Sequence, residues 1–190
     1  MFRTDRCPDD RVIFVDGSRF YLEGEYVTGF AVLDETTGTQ SLVRLPGHMS
    51  AQRAELEAVK EALLLQPPGK RTIYSDSSYV VRSLTLHLDI WKKRGFVDSQ
   101  NKPLAHVSVL KELWEWGMAH MTEAAIIKIP AHQKGDEPLI MGNNKADELA
   151  KLAAVSGTLR EPGMGPLPTH RIAARTHLSD GPVSFEEEQS

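Results

Sequence analysis

The order in which hydrophobic periodicity changes along the chain constrains its fold more than any other feature. Arg11-Val12-Ile13-Phe14-Val15 is a short, nearly all-apolar run ending at Asp16-Gly17-Ser18, the pattern of a buried central strand that stops at a turn. Glu25 to Leu33 alternates and is rich in Tyr, Val and Phe, Asp34 to Gly38 supplies turn residues, and Gln40 to Leu45 reads as a third strand. Three strands in series with short connections predict an antiparallel meander. The period then becomes helical. Leu56, Val59, Leu63 and Leu64 recur at helical spacing behind Ser50, a good N-cap, and Pro67-Pro68-Gly69 stops the helix. Arg71 to Ser75 is a fourth strand, followed by a helix from near Ser77 with Val80, Val81 and Leu84 on one side. Another helix runs from Leu104 to Met118, and Ala124 to Ile129 is a fifth strand stopped by Pro130. A flexible loop holding Gly135 and Gly142 leads to a last helix with Ala146, Leu149, Ala150 and Ala153 facing inward. A meander followed by alternating helices and strands predicts an α/β fold: a mixed five-stranded sheet, three antiparallel strands then parallel additions, flanked by helices.

Residues 1–10 are polar without a hydrophobic period and read as a flexible leader; residues 156–190, rich in Pro and Gly and ending in a glutamate run, read as a disordered tail or linker. The ordered domain is expected over 11–155. No stretch approaches the roughly 18 consecutive apolar residues of a membrane span, and no secretory signal is visible, so the expectation is an intracellular protein, monomeric as an isolated domain. The single cysteine, Cys7, excludes an internal disulfide framework and a Cys-based zinc site. A net charge of −4 argues at first against a polyanionic partner. Residues 11–155, however, hold 17 Lys+Arg against 18 Asp+Glu, and if four of those acids hold metal the remaining surface carries +3. The location of the charge decides the matter, and Trp91-Lys92-Lys93-Arg94 concentrates three cations beside an aromatic ring.

Four acids fall at the ends of elements. Asp16 follows the first strand and Asp76 the fourth, and adjacent strands lie about 4.8 Å apart. Glu55 and Asp147 are read in the first turns of two helices, each next to a buried position. Taken singly, each has an ordinary explanation: Asp76 as an N-cap, Asp16 as a turn residue, Glu55 and Asp147 as first-turn acids favoured by the helix dipole. Together they would repel one another unless cations neutralise them, and all-oxygen ligation selects Mg²⁺ or Mn²⁺ rather than zinc.

The words around these acids are more specific than their spacing. Val15-Asp16-Gly17-Ser18, Ser50-Ala51-Gln52-Arg53-Ala54-Glu55-Leu56, Tyr74-Ser75-Asp76-Ser77-Ser78-Tyr79, His132-Gln133-Lys134-Gly135 and Gly142-Asn143-Asn144-Lys145-Ala146-Asp147 occur in order. They resemble the five catalytic blocks of ribonuclease H, in phrasing closest to gammaretroviral reverse transcriptases or their endogenous and domesticated relatives. The resemblance implies a ribonuclease H-like fold and an endoribonuclease that cuts the RNA strand of RNA–DNA hybrids with two Mg²⁺ ions, for which Mn²⁺ can substitute. It implies Asp16, Glu55, Asp76 and Asp147 as metal ligands, with Asp16 bridging, and His132 as an assistant in proton traffic or product release. Gln52, Arg53 and Tyr79 resemble contacts to the DNA strand, Ser18 a contact near the RNA backbone, and Asn143 the Asn of the last block, a nucleic-acid contact, with a cap of the final helix as the alternative. Lys92, Lys93 and Arg94 match the basic insertion of the cellular and gammaretroviral forms and imply a phosphate grip.

The chain departs from the family at Ala131, where many relatives have Gly, and at Ala51, where many have Asn. The implied setting is a viral polyprotein with a polymerase domain, acting in cytoplasm or virion, or a domesticated gene acting in the nucleus. Two rivals are disfavoured. A retired viral domain that binds without cutting would be expected to lose carboxylates, yet all four remain. The related 3′-exonucleases place Glu two residues beyond the first Asp, where this chain has Ser18.

Overall fold

A computed structural model of the chain describes residues 2–8, 10–120, 123–161 and the backbone of 186–187. Its elements are β1 (Arg11–Leu22), β2 (Glu25–Asp34), β3 (Thr39–Leu45), α1 (Ala51–Leu64), β4 (Arg71–Ser75), α2 (Ser78–Arg82), a π-helical turn (Ser83–His87), α3 (Leu88–Lys93), α4 (Val107–Ala119), β5 (Ala124–Lys128), α5 (Pro138–Ser156), β6 (Thr158–Leu159) and β7 (Glu186–Glu187). The sheet order is β5-β4-β1-β2-β3-β6. β1, β2 and β3 form the antiparallel meander, and β4 and β5 add in parallel on the other side of β1. The mixed sheet is thus the predicted one, with two short additions: β6 parallel to β3, and β7 antiparallel to β1 at Phe20 and Tyr21.

Alternation along the strands gives the sheet two apolar faces. Ile13, Val15, Phe30, Val32 and Val43 pack with Leu56, Val59 and Leu63 of α1 and with Leu110 and Leu113 of α4. Phe14, Ala31, Leu33, Leu42 and Tyr74 pack with Ala146, Leu149, Ala150 and Ala153 of α5. The alanines of α5 let that helix lie close to the sheet.

The ends of α1 are chemically specified. Ser50 Oγ accepts from the Arg53 amide at 3.1 Å, as predicted for the N-cap. At the other end the buried Arg71 guanidinium donates to the carbonyls of Ala62, Leu63 and Leu65, satisfying groups that the helix leaves unpaired. Burial lowers the Arg71 pKa to about 10, with the charge of Arg11 adding to the effect.

Four sequence expectations are corrected. β1 does not stop at Val15 but continues to Leu22, and the turn falls at Glu23-Gly24, both at positive φ. The helix read from Ser77 is interrupted by a π-helical turn over Ser83–His87, which separates α2 from α3. The first residues, expected as a flexible leader, are packed: Phe2 stacks on Trp116 with ring centroids 6.1 Å apart, Cys7 is buried, and Arg3 bonds the backbone of β5 on either side of Ala125. An apolar side chain and an open strand edge account for this order. Beyond residue 155, β6 and a buried Arg160, whose guanidinium donates to Glu61 at 2.9 and 3.3 Å, continue the fold. The rest of the expected disordered tail, 162–185 and 188–190, lies outside the described residues. Among the described residues no helix is long and apolar enough to cross a membrane.

Candidate active site

The site is a notch in the sheet. β4 pairs with β1 only from Arg11 to Phe14 and ends at Ser75, whereas β1 runs on. Phe14 is opposite Tyr74, so counting two residues on sets Asp16 level with Asp76 across neighbouring parallel strands. Asp16 is therefore a strand residue, 4% exposed, not a turn residue. Asp76 is not a helix cap either, because Ser77 takes that role, its Oγ accepting from the Val80 amide at 3.2 Å. Both carboxylates are left for other work.

Glu55 comes to the notch because Gly17 has no side chain. A Cβ at Gly17 would lie 2.7 Å from both Cγ and the backbone nitrogen of Glu55, so the glycine lets α1 rest directly on β1. Asp16, Glu55 and Asp76 each present a carboxylate oxygen, all within 4.8 Å of one another. Asp147 is not part of that close trio, but it shares a hydrogen bond with Asp16. It lies well inside α5, not in the first turns, because the helix starts at Pro138 and takes in Gly142 and Asn143, which had been read as loop and, in the alternative, cap. Gly142 belongs to the helix because its bare backbone faces the Phe14 ring; a Cβ there would lie 2.3 Å from Phe14 Cζ.

Asn143, Asp147 and Lys151 follow one another at intervals of one helical turn on one side of α5. Asn143 is buried and its amide donates to Asp76 Oδ2 at 3.2 Å, so it orients a carboxylate rather than capping the helix. Lys151 Nζ lies 3.2 Å from Asp147 Oδ2. Neither role was read from the sequence, although the four-residue spacing of the three polar residues was there to find.

Burial holds the Asp16 carboxyl well above the usual carboxylate range, and the charges of Asp76, Glu55 and Asp147 push it the same way. Asp76 is raised by burial, against the opposing pull of the Asn143 hydrogen bond and the charges of Lys128 and His132. Buried like charges crowded together create a demand for positive charge. The donors are all carboxylate oxygens, which suits a hard divalent cation and not zinc or copper. The residues present fit such ions.

The other predicted residues divide into groups. His132 is exposed, at φ 53° on the loop before α5, and is close enough to Asp76 for its charge to act there. Ser18 is buried two residues beyond Asp16, and its hydroxyl has no hydrogen-bond partner among the described residues. Gln52 is half-buried on the first turn of α1. Next to it, Arg53 is held by Glu57 Oε2 at 2.8 Å and reaches Ser108 Oγ at 3.4 Å. Tyr79 meets His106 edge-on with ring centroids 6.3 Å apart. Burial raises the Tyr79 pKa, and burial followed by the charge of Arg53 lowers that of His106. His106, in a left-handed conformation just before α4, was not singled out in the sequence. Lys92, Lys93 and Arg94 form an exposed patch at the end of α3, with Lys92 Nζ 5.0 Å from the Trp114 ring centroid.

A family model described as RNase H matches residues 8–155. The Gag-Pol polyprotein of woolly monkey sarcoma virus is 39% identical over 146 residues, 75% of this chain and 8% of the viral protein. That of feline leukemia virus is 38% identical over 153 residues, 80% of this chain and 9% of its own length. The chain thus spans a small fraction of the length of these relatives. Among solved structures, the PFV RNase H domain in solution has a TM-score of 0.63 at 28% identity, covering 76% of this chain and 94% of that one. The foamy viral protease-reverse transcriptase in complex with RNA/DNA hybrid has a TM-score of 0.64 at 26% identity, covering 82% and 22%. The chain belongs to the ribonuclease H family, in the form carried by retroviral Pol polyproteins, a family whose function is ribonuclease H activity supported by divalent metal ions.

Proposed function

We propose that this chain is an endoribonuclease that hydrolyses the RNA strand of RNA–DNA hybrids, with Asp16, Glu55, Asp76 and Asp147 holding two Mg²⁺ ions, or Mn²⁺ in their place. The observation that carries the reading is the trio of carboxylate oxygens within 4.8 Å at the end of β4. When bound, the two ions supply the charge that activates water and stabilises a leaving 3′-oxygen. Asp16 belongs to the trio and shares a hydrogen bond with Asp147, so it would contribute to both positions; Glu55 and Asp76 would complete one and Asp147 the other. Asn143 fixes the Asp76 carboxylate through its amide. His132, exposed beside the acids, assists proton movement or departure of the product.

The substrate follows from chemistry and from one neighbour. The foamy viral protein of similar fold was solved with an RNA/DNA hybrid. Here Gln52, Arg53 and Tyr79 take the DNA strand, Ser18 takes the RNA backbone, and Lys92, Lys93 and Arg94 grip phosphate. Backbone contacts of this kind position a duplex without reading its bases, so cleavage has little sequence preference. The natural setting is a polyprotein with a polymerase domain, acting in cytoplasm or virion, or in the nucleus if the gene is domesticated.

The test is cleavage of an end-labelled hybrid in Mg²⁺. The wild-type chain should release RNA fragments with 5′-phosphate ends and leave the DNA intact. Asp16→Asn keeps the side-chain volume and should abolish cleavage while circular dichroism stays unchanged. Undiminished Mg²⁺-dependent cleavage by Asp16→Asn would refute the assignment.

A further inference from the structure

The four carboxylates are not equivalent. Asp16, Glu55 and Asp76 converge within 4.8 Å, whereas Asp147 stands to one side of Asp16 with an ammonium already beside it. Lys151 Nζ lies 3.2 Å from Asp147 Oδ2, and the two side chains retain only 25% and 18% of their exposure. The pair is thus partly withdrawn from solvent, where opposite charges attract more strongly than on an open helix face. Both residues sit on α5, which is fixed by the packing of its alanines on the sheet, so Lys151 reaches Asp147 without any rearrangement of the backbone.

We propose that Lys151 is an internal counter-ion that competes with the second divalent ion for Asp147, so that the two metal positions fill unequally in the substrate-free protein. This rests on the two-ion reading above. The trio accepts the first ion. The second must draw Asp147 away from a lysine that is covalently tethered and therefore always at high local concentration. Lys151 is accordingly a positioning residue, acting through Asp147.

The inference is tested without turnover, by titrating substrate-free protein with Mn²⁺ and counting bound ions by calorimetry and electron paramagnetic resonance. Wild type should bind one ion well and a second much more weakly. Lys151→Met, which keeps the stem and a strong helix former, should tighten the second step by roughly tenfold and leave the first within about twofold. Lys151→Arg, which retains the charge, should behave as wild type, and Lys151→Gln should follow Lys151→Met. An unchanged or weakened second step in Lys151→Met and Lys151→Gln overturns the inference, as does tightening in Lys151→Arg. If wild type and all variants bind two ions equally well, the two-ion reading survives and the role of Lys151 falls. If none binds any ion, the metal reading itself falls and takes this inference with it.

Discussion

At the scale of single residues, the decisive contrast is between what a carboxylate costs the fold and what it gives the chemistry. The Asp16 carboxyl is held well above its ordinary range, first by burial and then by three neighbouring acids. In metal-free protein the folded state therefore keeps a proton that the unfolded chain has released. Stability from this group is fully present at acid pH, below the unfolded value, and is lost as pH rises toward the folded pKa. Asp76 is shifted in the same direction. Metal-free wild type should melt at progressively lower temperature from about pH 4 toward neutrality, a slope that Asp16→Asn flattens and that Mg²⁺ reverses. Thermal melts in chelator and in Mg²⁺ across that range provide the check. A metal-free protein whose melting point climbs steadily over the same interval would contradict it. Much of the site was legible at this scale, because Asp16, Glu55 and Asp76 were identified by their surrounding words. The hold of Asn143 on Asp76 was not legible, because nothing local to Asn143 announces a partner 67 positions away in sequence.

At the scale of elements, the glycines explain both what was legible and what was missed. Gly17 ended the first strand in the sequence reading, since glycine weakens a strand and favours turns. It is instead a strand residue whose missing side chain admits α1. Gly142 was placed in a loop for the same reason, and it is a helix residue laid against Phe14. Local propensity argues for a break at both positions, and packing against a distant element overrides it. The π-helical turn at Ser83–His87 was invisible for a related reason, since α2, the turn and α3 share one helical pattern of apolar residues. Gly142→Ala offers a test by sign. In an ordinary helix interior this change stabilises by about 1 kcal/mol. Here the new methyl meets the Phe14 ring, and the change should destabilise by about 1–3 kcal/mol, read as a lower urea midpoint. A higher midpoint would show that α5 does not pack on Phe14 in this way.

At the scale of the whole molecule, the change from strand meander to helix–strand alternation was sufficient to predict the mixed sheet, but the limits of the folded unit were not predictable from periodicity. A two-residue strand and one buried arginine carry no repeating pattern. Arg160 nevertheless donates twice to Glu61, lies 5.9 Å from the Phe30 ring centroid, and pairs its backbone with Arg44. A chain stopped after Val155 should be less stable than one stopped after Glu161 by about 2 kcal/mol, measured as a shift in urea midpoint at similar slope. Identical midpoints would mean that β6 is an ornament.

The berths of the first residues and of Arg160 have a geometric consequence. Arg3 lies along β5, the outermost strand on one rim of the sheet, and Arg160 follows β6 on the opposite rim. Six interstrand spacings separate them, roughly 29 Å before allowance for twist. A polymerase fused ahead of Phe2 and a cargo fused behind Arg160 would be tethered at opposite flanks of the sheet, not at a shared point of attachment.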